Sequence, residues 1–177
     1  MNTEERRAKV LDRIKTAEKP VNGTALSKEF SVSRQIIVGD IAIIRAMGVE
    51  IYATPRGYLI PDGNKSSTNL LATITCSHDR AGLQRELDII VDNGGKIRDV
   101  IVEHPLYGEI RADLLLNTRR DVAEFIRRMD NCQAHPLLIV TGGIHLHTLE
   151  VPDEATLAAI KKELQAENIL AETDTEI

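Results

Sequence analysis

The 177-residue sequence contains no tryptophan, three tyrosines, two phenylalanines and two cysteines. Two cysteines, Cys76 and Cys132, cannot supply the disulfide framework of a small secreted domain. In a reducing compartment both are expected to be small buried side chains. No apolar run approaches the ~20 residues that a bilayer-spanning helix needs. The stretch from Met1 to Lys15 is charged and lacks the apolar core of an export signal. These absences predict a cytoplasmic protein with no membrane contact. Internal repeats and low-complexity tracts are also missing. A uniform basic charge is missing too, since the formal net charge is −5, which excludes a general nucleic-acid coat protein.

What is present is an asymmetry. Residues 1–65 carry a net charge of +3 and residues 66–177 a net charge of −8. A basic front and an acidic back predict two domains with different partners. Pro61-Asp62-Gly63-Asn64-Lys65-Ser66-Ser67 clusters turn formers and polar residues between two patterned segments, as a linker does. The expected domains are therefore 1–62 and 68–177.

In the front domain, Val10, Leu11 and Ile14 give helical spacing over about 3–17, and Pro20 stops that helix. A short helix is expected over 24–30. The tight Ser31-Val32-Ser33 turn leads into a third helix over about 34–47, with Ser33 as N-cap and Gly48 as C-cap. Strands over 49–52 and 58–60 flank a Thr54-Pro55-Arg56-Gly57 hairpin turn. This is the order of a winged helix-turn-helix. Its third helix lies in the major groove with N-terminal side chains at base edges. Here that tip is Ser33, Arg34 and Gln35. Arginine pairs bidentately with guanine and glutamine with adenine, while Ser33 suits a phosphate or the cap itself. Arg56 at the hairpin tip is placed to enter a minor groove or touch phosphate, with Lys28 and Arg45 as further backbone contacts. The alternative is a three-helix protein-interaction module whose charges face solvent.

The back domain reads as strand 70–76, helix 80–92, strands 96–103 and 109–116, helix 119–129, strand 144–151 and helix 154–165. The chain is thus expected to be α+β: a winged helix-turn-helix followed by a ferredoxin-like β-α-β-β-α-β domain. All five histidines lie in this half. His145 and His147, two apart on a strand, point to one face. In such a sheet the fourth strand runs antiparallel beside the first, which brings His78, just past the first strand, to the same place. Glu86 lies on the flank of a helix face made by Leu83, Leu87 and Ile90, where an unpaired carboxylate is costly. Three imidazoles and one carboxylate suit a divalent transition metal such as zinc, nickel or iron better than magnesium or calcium. Alternatively, His145 and His147 lie on an exposed strand face and Glu86 pairs with Arg85 or Arg98. His104 and His135, each before a proline, read as loop residues. The amides of Thr141-Gly142-Gly143 offer an anion site or simply a turn.

These residues carry a resemblance. Val32-Ser33-Arg34-Gln35, Asp40-Ile41-Ala42 and Arg45-Ala46-Met47-Gly48 look like the helix-turn-helix shared by bacterial repressors and biotin-ligase regulators. His78-Asp79-Arg80-Ala81-Gly82-Leu83, Glu86-Leu87, His104-Pro105-Leu106-Tyr107-Gly108 and Gly142-Gly143-Ile144-His145-Leu146-His147 resemble a three-histidine domain. Together, over nearly the whole chain, they resemble the niacin-responsive repressors of NAD synthesis and niacin uptake. That resemblance implies a homodimer on double-stranded operator DNA, nicotinate as co-repressor, and one divalent metal ion, zinc or nickel, held by His78, Glu86, His145 and His147. It implies no enzymatic activity. Two other functions compete with it. A metal-dependent hydrolase would need a general base such as Asp79 or Glu103, and a metal-sensing repressor would take the ion itself as its signal.

Overall fold

In the computed structural model, residues 2–61 and 69–171 are described. The chain divides into two compact units, residues 1–66 and 67–177. The expected linker lies outside the described residues except for Pro61.

The first unit begins with α1 (Thr3–Lys15), opened by a capping box between Asn2 and Glu5. Helix α2 (Gly23–Glu29) is capped by the Asn22 side chain on the Thr24 amide at 2.7 Å. Helix α3 (Arg34–Ala46) is capped by Ser33 and followed by Gly48 at φ +90°, as expected. Val10, Ile14, Leu26, Ile37, Ile41 and Ile44 bury the inner faces of the three helices in one core. Strands β1 (Tyr52–Thr54) and β2 (Gly57–Leu59) form the wing. The first strand starts later than expected. The Arg45 guanidinium takes the Ile51 carbonyl at 2.6 and 2.8 Å, so that carbonyl is spent on tying the wing to α3. Gly57, at φ +136°, could not carry a side chain, because a Cβ there would lie 2.4 Å from the Val21 carbonyl oxygen. That close approach lets Val21 pair with Tyr58 and join the wing to the start of α2.

One buried charge holds α1 to α3. Asp40 is 2 % exposed and accepts from Arg6 at 2.7 and 3.1 Å and from Arg7 at 3.1 Å. Burial alone would push its carboxyl up. The hydrogen bonds from the two guanidinium groups outweigh that and hold it below the ordinary aspartate value.

The second unit contains β3 (Leu70–Ser77), a 3-10 turn Arg80–Gly82, α4 (Leu83–Asp92), β4 (Lys96–His104), β5 (Gly108–Leu116), α5 (Arg119–Asn131), a 3-10 segment Leu137–Thr141, β6 (Ile144–Val151) and α6 (Glu154–Ala166). The α+β class and the strand and helix succession are as expected. So is the antiparallel pairing of the last strand with the first, with Cys76 opposite His145 and Ser77 opposite Ile144. The strand order across the sheet is β3-β6-β4-β5. It is therefore β6, and not the third strand as in a ferredoxin-like sheet, that separates β3 from β4. The tight turn at Pro105–Tyr107 pairs β5 with β4, here on the side away from β6.

Alternate residues of β6, from His145 through Leu149 to Val151, turn inward against the helices. Leu87 and Ile90 of α4, Val122 and Met129 of α5, and Ile160 and Leu164 of α6 complete that core. The other sheet face leaves Leu71 and Ile144 exposed. After α6 the chain runs along the outer edge of β3: Ser77 N–H donates to the Ile169 carbonyl at 2.8 Å and Ala171 N–H to the Thr75 carbonyl at 2.9 Å. Cys76 is buried, but Cys132 is exposed, contrary to expectation, because it caps the end of α5 beyond the last inward-facing turn. Among the described residues no helix is long and apolar enough to cross a membrane.

Asp40 sets an acid limit on the first unit. Its folded pKa lies below its unfolded value, so its contribution to stability is present above about pH 4 and lost as pH falls through the folded value. Thermal melts of Asp40→Asn against the parent should show a lower melting temperature at neutral pH and a gap that narrows toward about pH 3. An equal gap at both ends would remove Asp40 from this role.

Candidate functional site

His78, Glu86, His145 and His147 converge at one end of the sheet. His145 and His147 come from adjacent inward positions of β6, His78 from just beyond β3, and Glu86 from the first turn of α4. The carboxylate of Glu86 is fully buried. His78 Nε2 lies 2.8 Å from its Oε2, and His145 Nε2 lies 3.1 and 3.2 Å from its two oxygens. The ligating atoms of His78, Glu86 and His145 fall within 4.8 Å of one another. His147 approaches from farther along the strand. Its Nε2 is 3.4 Å from Oε1 but makes no aligned hydrogen bond, and it is a buried nitrogen without a partner. Neighbouring rings meet edge to face, with centroids 4.8 Å apart for His78 and His145 and 5.0 Å apart for His145 and His147.

The outer nitrogens are fixed by backbone. His78 Nδ1–H donates to the Asp79 carbonyl at 2.6 Å, His145 Nδ1–H to the Gly143 carbonyl at 2.8 Å, and His147 Nδ1–H to the Asp99 carbonyl at 2.6 Å. A carbonyl only accepts, so each Nδ1 carries its proton. In a neutral ring each Nε2 is then a lone pair aimed at a carboxylate that also only accepts. The cluster therefore requires protons or a metal ion between nitrogen and oxygen. Imidazoles tied at one nitrogen to a carbonyl and free at the other are the arrangement that orients histidine ligands. The donor set of three imidazole nitrogens and a carboxylate, with one nitrogen orphaned, fits a divalent transition metal.

The four side chains also perturb one another's protonation. Burial would push the Glu86 carboxyl up, but the charge of His147 and the hydrogen bonds from the imidazoles hold it well below the usual carboxylate range. Burial would lower His78 and His147, and Glu86 raises both above the ordinary histidine value. Cys76, opposite His145, has its thiol pushed up by burial and by Glu86, so it stays protonated.

Local backbone explains the convergence. A Cβ on Gly82 would sit 2.9 Å from the His78 ring, and a Cβ on Gly143, at φ +110°, would sit 2.6 Å from the His78 carbonyl oxygen. Both glycines let His78 fold back over the cluster. The register of β4 against β6 shifts between Ile97 and Ile101, which frees the Asp99 carbonyl for His147. The Asp99 carboxylate meanwhile accepts from the Thr148 amide at 2.9 Å and from Arg111 at 2.9 Å. Asp79, Asp99 and Gly143 act through main-chain oxygens, so no side-chain pattern in the sequence points to them.

The alternative pairings of Glu86 do not form. Arg85 bonds Glu167 and Glu163, and Arg98 faces Glu150. The amides of Gly142 and Gly143 are not an anion site, because they donate to Ile139 and Leu138 to close the 3-10 segment. His104 Nδ1 accepts from the Leu106 and Tyr107 amides at 3.1 and 3.3 Å, stabilising the β4–β5 turn. Beside the cluster, Leu83, Leu87, Val100, Leu114, Phe125 and Leu138 line a cavity of about 20 Å³ that His145 and His147 also face.

In the first unit, Ser33, Arg34 and Gln35 are exposed at the tip of α3. Ser33 Oγ accepts from the Ile36 amide at 3.3 Å, so the serine is a cap. Arg34 stands on the flank beside α2, its Nε 3.7 Å from the point a Cβ on Gly23 would occupy. Arg56 is half-buried in the wing turn, with its amide on Thr54 Oγ1 at 3.2 Å.

Residues 6–59 match an HTH domain and residues 71–173 match a 3H domain. The probable transcription repressor NiaR of Thermotoga maritima is 42% identical over 169 residues, 96% of this chain and 95% of that protein. The transcription repressor NadR of Bacillus subtilis is 37% identical over 166 residues, 93% and 92% of the two chains. This chain belongs to that family of transcription repressors. The repressor is a DNA-binding protein through its helix-turn-helix, and its relatives are repressors rather than enzymes, so the hydrolase alternative is set aside.

Gly143→Ala tests how the repressor positions His78. A side chain there meets both a left-handed backbone and the His78 carbonyl. The second unit should lose about 1–3 kcal/mol in denaturant unfolding, and the His78 ring resonance should shift in histidine-labelled protein. Unchanged stability with an unmoved ring would show that the close approach is dispensable.

Proposed function

We propose that this repressor acts on genes of NAD biosynthesis or niacin uptake, with nicotinate as co-repressor. In this reading one divalent transition metal ion, zinc or nickel, is held by His78, Glu86, His145 and His147. The observation that carries it is a set of three imidazoles around one buried carboxylate, each anchored through Nδ1, with His78 and His145 aimed at Glu86 through Nε2 and the His147 Nε2 3.4 Å away without a partner. When bound, the metal supplies a Lewis-acidic cation that can anchor the carboxylate of a small aromatic acid. The protein's own part is to hold four donors fixed, keep the Cys76 thiol neutral and present an apolar wall of Leu83, Val100 and Phe125 beside them.

Two copies act together on double-stranded operator DNA. Co-repression requires nicotinate to bind the DNA-competent arrangement of the homodimer more tightly than any other, since equal affinity shifts nothing. That arrangement sets two recognition helices about one turn of DNA, ~34 Å, apart. A repressor in which the ion itself is the signal uses the same donors and differs only in its response to niacin.

Two measurements test this. Elemental analysis of purified protein should find one zinc or nickel per chain, and His145→Ala/His147→Ala should lose it while the first unit stays folded. In an operator-shift titration with metal present, nicotinate should tighten binding at least about ten-fold, a coupling typical of allosteric repressors. Arg34→Ala should weaken DNA binding and leave the metal content unchanged. DNA affinity that follows free metal and ignores nicotinate would assign the signal to the ion.

A further inference from the structure

The outward face of α3 has a composition that the first unit does not explain. Ile37, Asp40, Ile41 and Ile44 turn inward. Gln35, Ile36, Gly39, Ala42, Ile43 and Ala46 are exposed on the other side. Only Gln35 among them is polar, and Ile36 and Ile43 are 43% and 40% exposed. Of the cations expected to meet DNA from this helix, Arg34 is exposed at its N-terminal tip on the flank beside α2, and Arg45, expected as a backbone contact, has its guanidinium on the Ile51 carbonyl. Beyond Arg34 at the tip, the outward face of this helix is mostly aliphatic.

Gly39 is the second observation. A glycine inside a helix costs stability relative to alanine. Among the described residues nothing asks for it here. Its backbone is ordinary helix, and a Cβ would meet no atom within 4 Å. A glycine that the fold does not need, centred on an exposed face, serves a close approach from outside.

The occupant that fits is the major groove. Residues 1–65 carry a net charge of +3 against −8 for the rest, so this unit is the one that a polyanion attracts. In the groove the apolar feature available to isoleucine is the C5 methyl group of thymine. Ile36 and Ile43 are seven residues apart, about 10.5 Å along the axis at ~1.5 Å per residue.

We propose that α3 reads its DNA half-site largely by apolar contact, with Ile36 and Ile43 on the methyl groups of two separate thymines and Gly39 seating the helix backbone against the base edges between them. The inference rests on the DNA-binding assignment and adds the mode of reading. Gln35 is then the polar reader at one end of an otherwise aliphatic strip.

The test starts from a duplex selected out of a random-sequence pool by the full-length wild-type chain with zinc and nicotinate present. Each thymine of the half-site is replaced in turn by deoxyuridine, which removes only the methyl group. Two separate positions should each lose roughly four-fold in affinity, the fold-change for burying one methyl group. In Ile43→Ala one of those two losses should vanish, and in Ile36→Ala the other. Gly39→Ala should melt no lower than wild type and bind the selected duplex at least ten-fold more weakly. Uracil substitution without effect at every position overturns the inference while DNA binding stands, as does tight binding by Gly39→Ala. If Ile43→Ala instead shifts the monomer–dimer equilibrium and leaves the uracil pattern intact, the strip is a protein interface and the inference fails. A chain that selects no duplex overturns both the inference and the assignment beneath it.

Discussion

Glu86 is a carboxylate with no access to water, placed on a helix that otherwise packs leucine and isoleucine against the sheet. Burying such a charge unpaired is prohibitive, so the surrounding architecture must answer it. Three histidines do so, two from β6 and one from the turn after β3, and each is itself held by a main-chain carbonyl. The irregularity in β4 and the two close-packed glycines help bring those imidazoles to one carboxylate. Asp40 plays a parallel part in the first unit, answered by Arg6 and Arg7. The two answers differ in kind. Arginines stay charged at any working pH and make a structural tie, whereas imidazoles leave a pocket that can take a proton or a metal.

The helices were legible because their signals are local. Capping residues, an apolar stripe and a terminating glycine lie within one stretch of chain, so α1, α3, α4 and α5 fall close to where periodicity puts them. The convergence of His78 with His145 was legible too, since it needs only antiparallel pairing of the first and last strands of the unit. The strand order was not, because nothing local in β5 or β6 says which of them lies beside β4 on its inner side. The supporting carbonyls of Asp79, Asp99 and Gly143 were out of reach for a related reason. A main-chain oxygen has no residue type, and whether it is free depends on register. Arg45 shows the opposite failure. Its charge reads as a phosphate contact, yet its guanidinium is used inside the fold, on Ile51.

The helix-turn-helix contributes a surface and the 3H unit a pocket, and the sequence divides its charge between them accordingly. Family membership accounts for the pairing of the two, and the geometry accounts for why neither could be exchanged for a bland domain. The wing is pinned to α3 by Arg45 and to the start of α2 by the Val21–Tyr58 pairing. The recognition helix is therefore braced from two sides before it meets any partner.

Strand β6 is bonded along both flanks, to β3 on one side and to β4 on the other. A strand so placed is the stiffest part of its sheet, and it carries two of the four converging side chains. His78 and Glu86 sit on a turn and on the first turn of a helix, outside that ladder. The cluster is thus mechanically lopsided, with one half an anvil and the other half able to yield. Any displacement that accompanies occupancy of the site is delivered to the turn around His78 and to α4, and the sheet remains the frame against which it is measured.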